Sequence, residues 1–147
     1  MASKNNKKKT KNSSYKTMAN LADKYICYEE SVQCVESEID FVDTTFLKLR
    51  KRLAKTLRED FCGTMNTSCE WVNRRKTNTA ICVDLDEAVL QWGKDNKITK
   101  LSDEQKKRIV IFNDNVIKIA TEPVDIVLAM NFSYWLLKER KLTIDYF

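Results

Sequence analysis

Residues 57–65, LREDFCGTM, and residues 80–86, AICVDLD, decide how this chain is read. An apolar residue leads into adjacent carboxylates and then into a tight turn holding Gly63, one of only two glycines in the 147 residues. A strand end that bends through such a turn into a helix has the geometry of a nucleotide-binding crossover.

Outward from that turn the pattern alternates strand and helix. Residues 56–60 form a short strand by position, and residues 66–75 read as a helix with Cys69 and Val72 facing inward. Residues 80–85 are a continuous apolar run, as expected of a strand covered on both faces. Asp86 then stands as an N-cap, with Leu85 and Leu90 placed as a hydrophobic staple and Gly93 near the helix end, where a left-handed cap is often needed. Ser102 with Gln105 makes a capping-box pattern, and residues 108–112 make a third strand of β-branched side chains. Residues 116–120 are a turn of helix or an irregular connection that Pro123 ends. Residues 124–130, VDIVLAM, are the most apolar strand, and residues 133–141 read as a closing helix carrying Tyr134, Trp135, Leu136 and Leu137. Two helices precede the first strand. One covers residues 17–35, with Leu21, Tyr25, Tyr28 and Val32 at helical spacing; the second presents Ile39, Val42, Phe46, Leu49 and Leu53 along one face. Connections too long for hairpins imply crossovers and a parallel sheet.

Composition narrows the chemistry. With 43% hydrophobic residues the chain can build one domain with its own core. It has no membrane-length apolar run and no signal peptide, which places it in the cytoplasm. Five cysteines, no histidine and no C-x-x-C pair argue for reduced buried thiols and against a metal site. The absence of histidine also excludes Ser-His-Asp and Cys-His catalysis. Residues 1–16 carry six lysines and no acid, leaving 20 basic against 21 acidic side chains in the rest, so the net charge of +5 resides in this tail. The tail is too polar to offset its ordering entropy and is expected to be disordered. It reads either as a solubilising extension or as a segment that touches nucleic acid or directs nuclear import.

The ordered segments LREDFCGT, ICVDLDEAVLQWG, VIFNDN and VDIVLAMNFSYW resemble strands one to four of class I S-adenosylmethionine-dependent methyltransferases. The resemblance is to an uncharacterised branch whose first turn reads REDFCGT in place of the commoner D-x-G-x-G-x-G, and it covers residues 25–147. It implies an α/β fold with a Rossmann-like doubly wound parallel sheet, incomplete, with strands 1–4 in the order 3-2-1-4, preceded by two helices. It also implies S-adenosylmethionine as cofactor. On that resemblance Glu59 starts the first motif near the methionine amino group, and Gly63 lets the backbone pass close to the cofactor. Phe61 and Met65 stand where the commoner pattern has glycines, and Thr64 shapes the turn. Arg58 would pair with the cofactor carboxylate or remain a surface arginine. Asp84, followed by Leu85, matches the acid that accepts both ribose hydroxyls. Asp114 and Asn115 fall where the family contacts the adenine edge, though Asx residues at a strand end also form turns. Asn131 is placed beside the transferable methyl, with Phe132 and Tyr134 as neighbours or as core.

The expected activity is methyl transfer to an N, O or S atom of an acceptor that the sequence does not identify, with no catalytic base assignable. The chain stops after the fourth strand, whose apolar edge then invites a homo- or hetero-oligomeric partner. A noncatalytic binding or scaffold protein, using the lysine tail for nucleic acid or another acidic partner, is the alternative. A dinucleotide oxidoreductase is disfavoured because the full G-x-G-x-x-G spacing is missing.

Overall fold

The computed structural model describes residues 17–147. The expectations for the tail at residues 1–16 lie outside them. Four strands, β1 (Thr56–Asp60), β2 (Thr79–Asp84), β3 (Ile109–Asn113) and β4 (Ile126–Ala129), form one parallel sheet in the order β3-β2-β1-β4. The chain steps outward from β1 to β2 and β3, then returns across the sheet to β4. The point between β1 and β4 is thus the topological switch, where open α/β sheets bind ligands at the carboxyl ends of the strands.

In-register rows give the sheet its two faces. Leu57, Ala80, Ile109 and Ile126 are cross-strand neighbours, as are Glu59, Cys82, Ile111 and Leu128. On that face sit α3 (Val35–Arg50), α4 (Asn66–Arg74) and α5 (Glu87–Asn96), closing a core around Ile39, Leu57, Trp71, Val72, Ala80 and Leu128. A second cluster of Cys62, Met65, Cys82 and Leu90 lies under the first turn. Arg75 ties α4 to α3 through a bidentate pair with Asp43, at 2.6 and 2.7 Å, and stacks over the Trp71 ring. The opposite face is met by the connection after β3, Tyr134 and α7 (Arg140–Tyr146), and Val110 and Val127 on it are half exposed.

Several expectations need correction. Residues 17–35 are not one helix but α1 (Met18–Leu21) and α2 (Lys24–Val32), because the Asp23 carboxylate accepts the N–H groups of Tyr25 and Ile26 and starts a new helix. Helical spacing also pointed to the wrong face: Leu21, Tyr28 and Val32 are exposed, while Glu29 is the buried residue of α2. α3 begins at Val35 and ends at Arg50, capped by Lys51 in the left-handed conformation (φ 57°); Leu49 within it and Leu53 beyond it are exposed. Gly93 caps nothing. It lies inside α5, where a Cβ would stand 2.6 Å from the Thr64 carbonyl oxygen, so its role is close packing of α5 on the first turn. Leu85 makes no buried staple with Leu90; it is exposed, whereas Asp86 does cap α5. The capping box of Ser102 and Gln105 starts α6 (Asp103–Lys106). Arg108 belongs to no strand, since its guanidinium donates to the carbonyls of Val72, Arg75 and Asn78. β4 is shorter than its apolar run because Asp125 accepts the N–H groups of Lys55 and Thr56 and pairs with Arg52, which holds its carboxyl well below the usual range. The closing helix divides into a 3-10 turn (Ser133–Leu136) and α7. Of the cysteines, Cys62, Cys69 and Cys82 are buried, but Cys27 and Cys34 are exposed.

Candidate functional site

Three residues of the turn after β1 hold the left-handed conformation: Phe61 at φ 57°, Gly63 at φ 52° and Met65 at φ 62°. They alternate along the chain at the positions where the commoner pattern has glycine. Two of the three carry a Cβ, so the conformation costs roughly 1–2 kcal/mol at each of them. Packing offsets part of that cost at Met65, which is fully buried and whose Cε fills the space left open by Gly93. The turn is pinned from β2: Cys62 N–H donates to the Val83 carbonyl at 3.1 Å, and Gly63 N–H donates to Asp84 Oδ2 at 2.8 Å. A Cβ on Gly63 would meet nothing within 4 Å, so the turn faces open space there.

Charged groups anchor the turn from below and from the side. Glu59 is buried at 4% exposure and accepts from both the backbone N–H and the hydroxyl of Ser68 in the first turn of α4. Burial pushes its carboxyl up to about 7, against the opposing pull of the Ser68 hydrogen bonds. Glu29 reaches over from α2, accepting from Thr64 Oγ1 at 2.5 Å and pairing with Lys97 Nζ at 2.5 Å. Burial pushes the Cys69 thiol up to about 12, and contact with Cys82 together with burial raises Cys62 further, so these thiols are inert neighbours of the turn.

Two adjoining spaces open at the strand ends. A cleft of about 610 Å³ is walled by Phe61, Asp84, Leu85, Asp114, Asn115 and Ile117, among others. A narrower pocket of about 150 Å³ meets it at Phe61 and is walled by Glu59, Gly63, Asn131, Tyr25, Tyr28 and Gln33, among others. Every candidate except Arg58 lines one of these spaces. Asp84 uses each carboxylate oxygen once, Oδ2 for Gly63 and Oδ1 for the Asp86 N–H at 2.9 Å, so each oxygen keeps an acceptor position for a ligand hydroxyl in the cleft. Asp114 Oδ1 accepts the Asn115 N–H, and Asn115 Oδ1 accepts the Ile117 N–H, so both residues shape the turn at the cleft wall. Asn131, left-handed at φ 55°, turns the chain back over the narrow pocket.

Arg58 lines neither space. It is on the other face of β1, where its guanidinium donates to Asp60 Oδ1 (2.7 Å), Thr121 Oγ1 (3.2 Å) and the Val116 carbonyl (2.8 Å). Strand alternation sets it on the face opposite Glu59, and the pairing with Asp60 holds it there. The sequence reading missed Tyr25, Tyr28 and Gln33, because α2 reads as an apolar core helix, and Leu136, Leu137 and Leu142, because only the return of the chain after β4 brings them to the cleft.

No protein-family model matches the sequence, and no curated protein matches it. Among solved structures, the fold is similar to CalS10 with S-adenosylmethionine bound, an amino pentose methyltransferase from Micromonospora echinaspora involved in calicheamicin biosynthesis. That match has a TM-score of 0.65 at 13% identity and covers 83% of this chain and 47% of CalS10. It is also similar to the methyltransferase domain of bacterial CtHen1, with a TM-score of 0.55 at 20% identity over 77% of this chain and 58% of that one. A third is the plantazolicin methyltransferase BpumL in complex with a triazolic desmethylPZN analog and SAH, with a TM-score of 0.58 at 10% identity over 78% of this chain and 45% of that one. The chain thus shares the fold of these methyltransferase structures and spans about half of their length.

Proposed function

We propose that this chain binds S-adenosylmethionine across the cleft and the narrow pocket, as a methyltransferase or as the cofactor-binding half of one. The observation that carries this reading is the position of Asp84. It ties Gly63 of the left-handed turn to the head of α5, one carboxylate oxygen to each, and is itself part of the cleft wall.

The donor set fits such a group. Glu59, Gln33 and Asn131 line the narrow pocket with polar atoms suited to an amino-acid end, and the turn has open space above Gly63. Asp84 offers acceptors for paired hydroxyls, and Leu85, Ile117 and Leu136 offer apolar walls for a planar base. When bound, S-adenosylmethionine supplies an electrophilic methyl on sulfur. The chain's own work would be to hold and orient: Asp84 would hold the sugar, the left-handed turn would let the backbone come close, and the buried Glu59 would face the positive charge. A cation beside Glu59 favours its ionised form, so binding draws a proton off this residue near neutral pH. No side chain is assigned as catalytic base, and the acceptor class stays open.

Calorimetry on the purified chain with S-adenosylmethionine tests the reading. Binding in the micromolar to millimolar range is expected, with Asp84→Ala weakening it about tenfold or more through loss of a charge-assisted pair of hydrogen bonds. No heat, or an unchanged Asp84→Ala, overturns it. A noncatalytic cofactor-binding scaffold is the second reading, supported by the open edge of β4; binding without turnover across acceptor libraries would select it.

A further inference from the structure

The chain after β4 is built unlike the rest of the molecule. Asn131 and Phe132, both left-handed at φ 55° and 63°, reverse its direction, and residues 133–147 then run back over the sheet ends as a 3-10 turn and α7. Neither of these elements contains a buried residue. Even so, Leu136, Leu137 and Leu142 form one wall of the large cleft, and Ser133 closes part of the narrow pocket.

Nearly all hydrogen bonds of this segment are local, as with Ser133 to the Met130 carbonyl, Thr143 to the Leu137 carbonyl and Lys141 to Asp145. Among the described residues, one hydrogen bond joins it to the rest of the fold: Tyr146 Oη donates to Asp60 Oδ2 at 2.8 Å. Asp60 is 2% exposed, and its other oxygen is held by Arg58 Nε at 2.7 Å, so the acceptor is fixed in place. Asp60 also immediately precedes Phe61, whose ring meets Tyr146 at 6.1 Å between centroids. The tie therefore grips the turn that the cleft and the narrow pocket share.

We propose that residues 133–147 are a strap over the ligand cleft, latched by Tyr146 onto Asp60, and that ligand in the cleft and the closed latch stabilise each other. The second half rests on the cofactor reading above. A segment held by one side-chain hydrogen bond and partly exposed apolar contacts belongs to the low-stability end of a fold, the part that opens to admit a ligand. With the strap open the cleft loses its leucine wall; with it closed, water is excluded from one side of the site.

The test is trypsin cleavage of the full chain at Lys138, Arg140 and Lys141, all exposed on the strap, with the fragments read by mass spectrometry. In the absence of ligand, Tyr146→Phe removes the donor while keeping the ring, and is expected to speed these cuts about tenfold with the far-ultraviolet dichroism unchanged. Equal rates for wild type and Tyr146→Phe overturn the latch, and this arm needs no ligand. With S-adenosylhomocysteine at a concentration shown by calorimetry to saturate, the same cuts in wild type are expected to slow about tenfold. Equal rates with and without bound S-adenosylhomocysteine overturn the coupling. Absence of any binding heat instead refutes the cofactor reading and leaves the ligand-free arm to decide the latch.

Discussion

Glu59 shows how one residue carries both the fold and the site. Its carboxyl sits in the wall of the narrow pocket, pushed up to about 7 by burial. Because the folded value lies above the unfolded one of 4.5, the folded state binds this proton more tightly. The stabilisation is fully present below about pH 4.5 and is lost as pH rises through about 7. Across that window the loss is about 3 kcal/mol. Glu59→Gln keeps an acceptor for Ser68 and has no proton to lose, so its stability relative to wild type should rise by about that amount between pH 4.5 and 8, as measured by urea unfolding. An unchanged difference across that range would show that Glu59 is already ionised in the fold. The three left-handed residues carry the complementary lesson. Gly63 was legible as a permissive position, but that Phe61 and Met65 adopt the same conformation was not, because the space for Met65 comes from Gly93, 28 residues further along the chain.

Among the elements, α2 was the least legible in the sequence and contributes most to the site that was unforeseen. Its apolar spacing suggests a core helix, yet its buried contact is polar: Glu29 against Thr64 and Lys97. Tyr25 packs on Trp92 of α5 at 5.2 Å, and Trp92 Nε1 donates to Asp23 at the head of α2, so the helix rests on α5 and over the turn. Glu29→Ala leaves Lys97 and the Thr64 hydroxyl without their carboxylate. Lys97 keeps partial access to water, so the expected cost is about 2 kcal/mol, below that of a fully buried pair. Urea unfolding measures it, and a cost under about 0.5 kcal/mol would mean that α2 is only loosely seated. β1 and β2 were legible to within a residue, because adjacent carboxylates end the one and a helix cap follows the other. β4 was overestimated, since periodicity cannot reveal that Asp125 spends its carboxylate on β1 and Arg52 before the strand begins.

At the scale of the molecule, a large exposed apolar surface lies on the side beyond β4. Among the described residues the outer edge of β4 pairs with no strand, Val127 is 55% exposed, and Phe132, Trp135 and Phe147 are more exposed still. Ring contacts link Phe132, Trp135, Tyr134 and Phe147 into one aromatic cluster. A bare parallel edge beside such a cluster is prone to pair with further polypeptide. Light scattering of the purified chain should therefore show association that grows with concentration. Val127→Lys, which puts a charge on that strand, should lower it; a concentration-independent monomer would show that the strap already covers the edge. Among the described residues no helix is long and apolar enough to cross a membrane, and no group of three or more Cys, Asp or Glu is placed to hold a metal ion.

Local chemistry settled by itself whatever depends on neighbours in sequence. The apolar runs mark β2, β3 and β4, Asp86 and Ser102 start their helices, and the long connections imply a parallel sheet, whose order 3-2-1-4 was expected from the family resemblance and is the order of the fold. Tertiary structure alone decided which faces meet. The connection after β3 engaged Arg58 through Val116 and Thr121, Gly93 made room for Met65, α2 brought its tyrosines to the site, and the return of residues 133–147 set Tyr146 on Asp60. Each of these joins groups far apart in the chain, and their contacts depend on sheet register and helix packing, which no local pattern of residue types encodes.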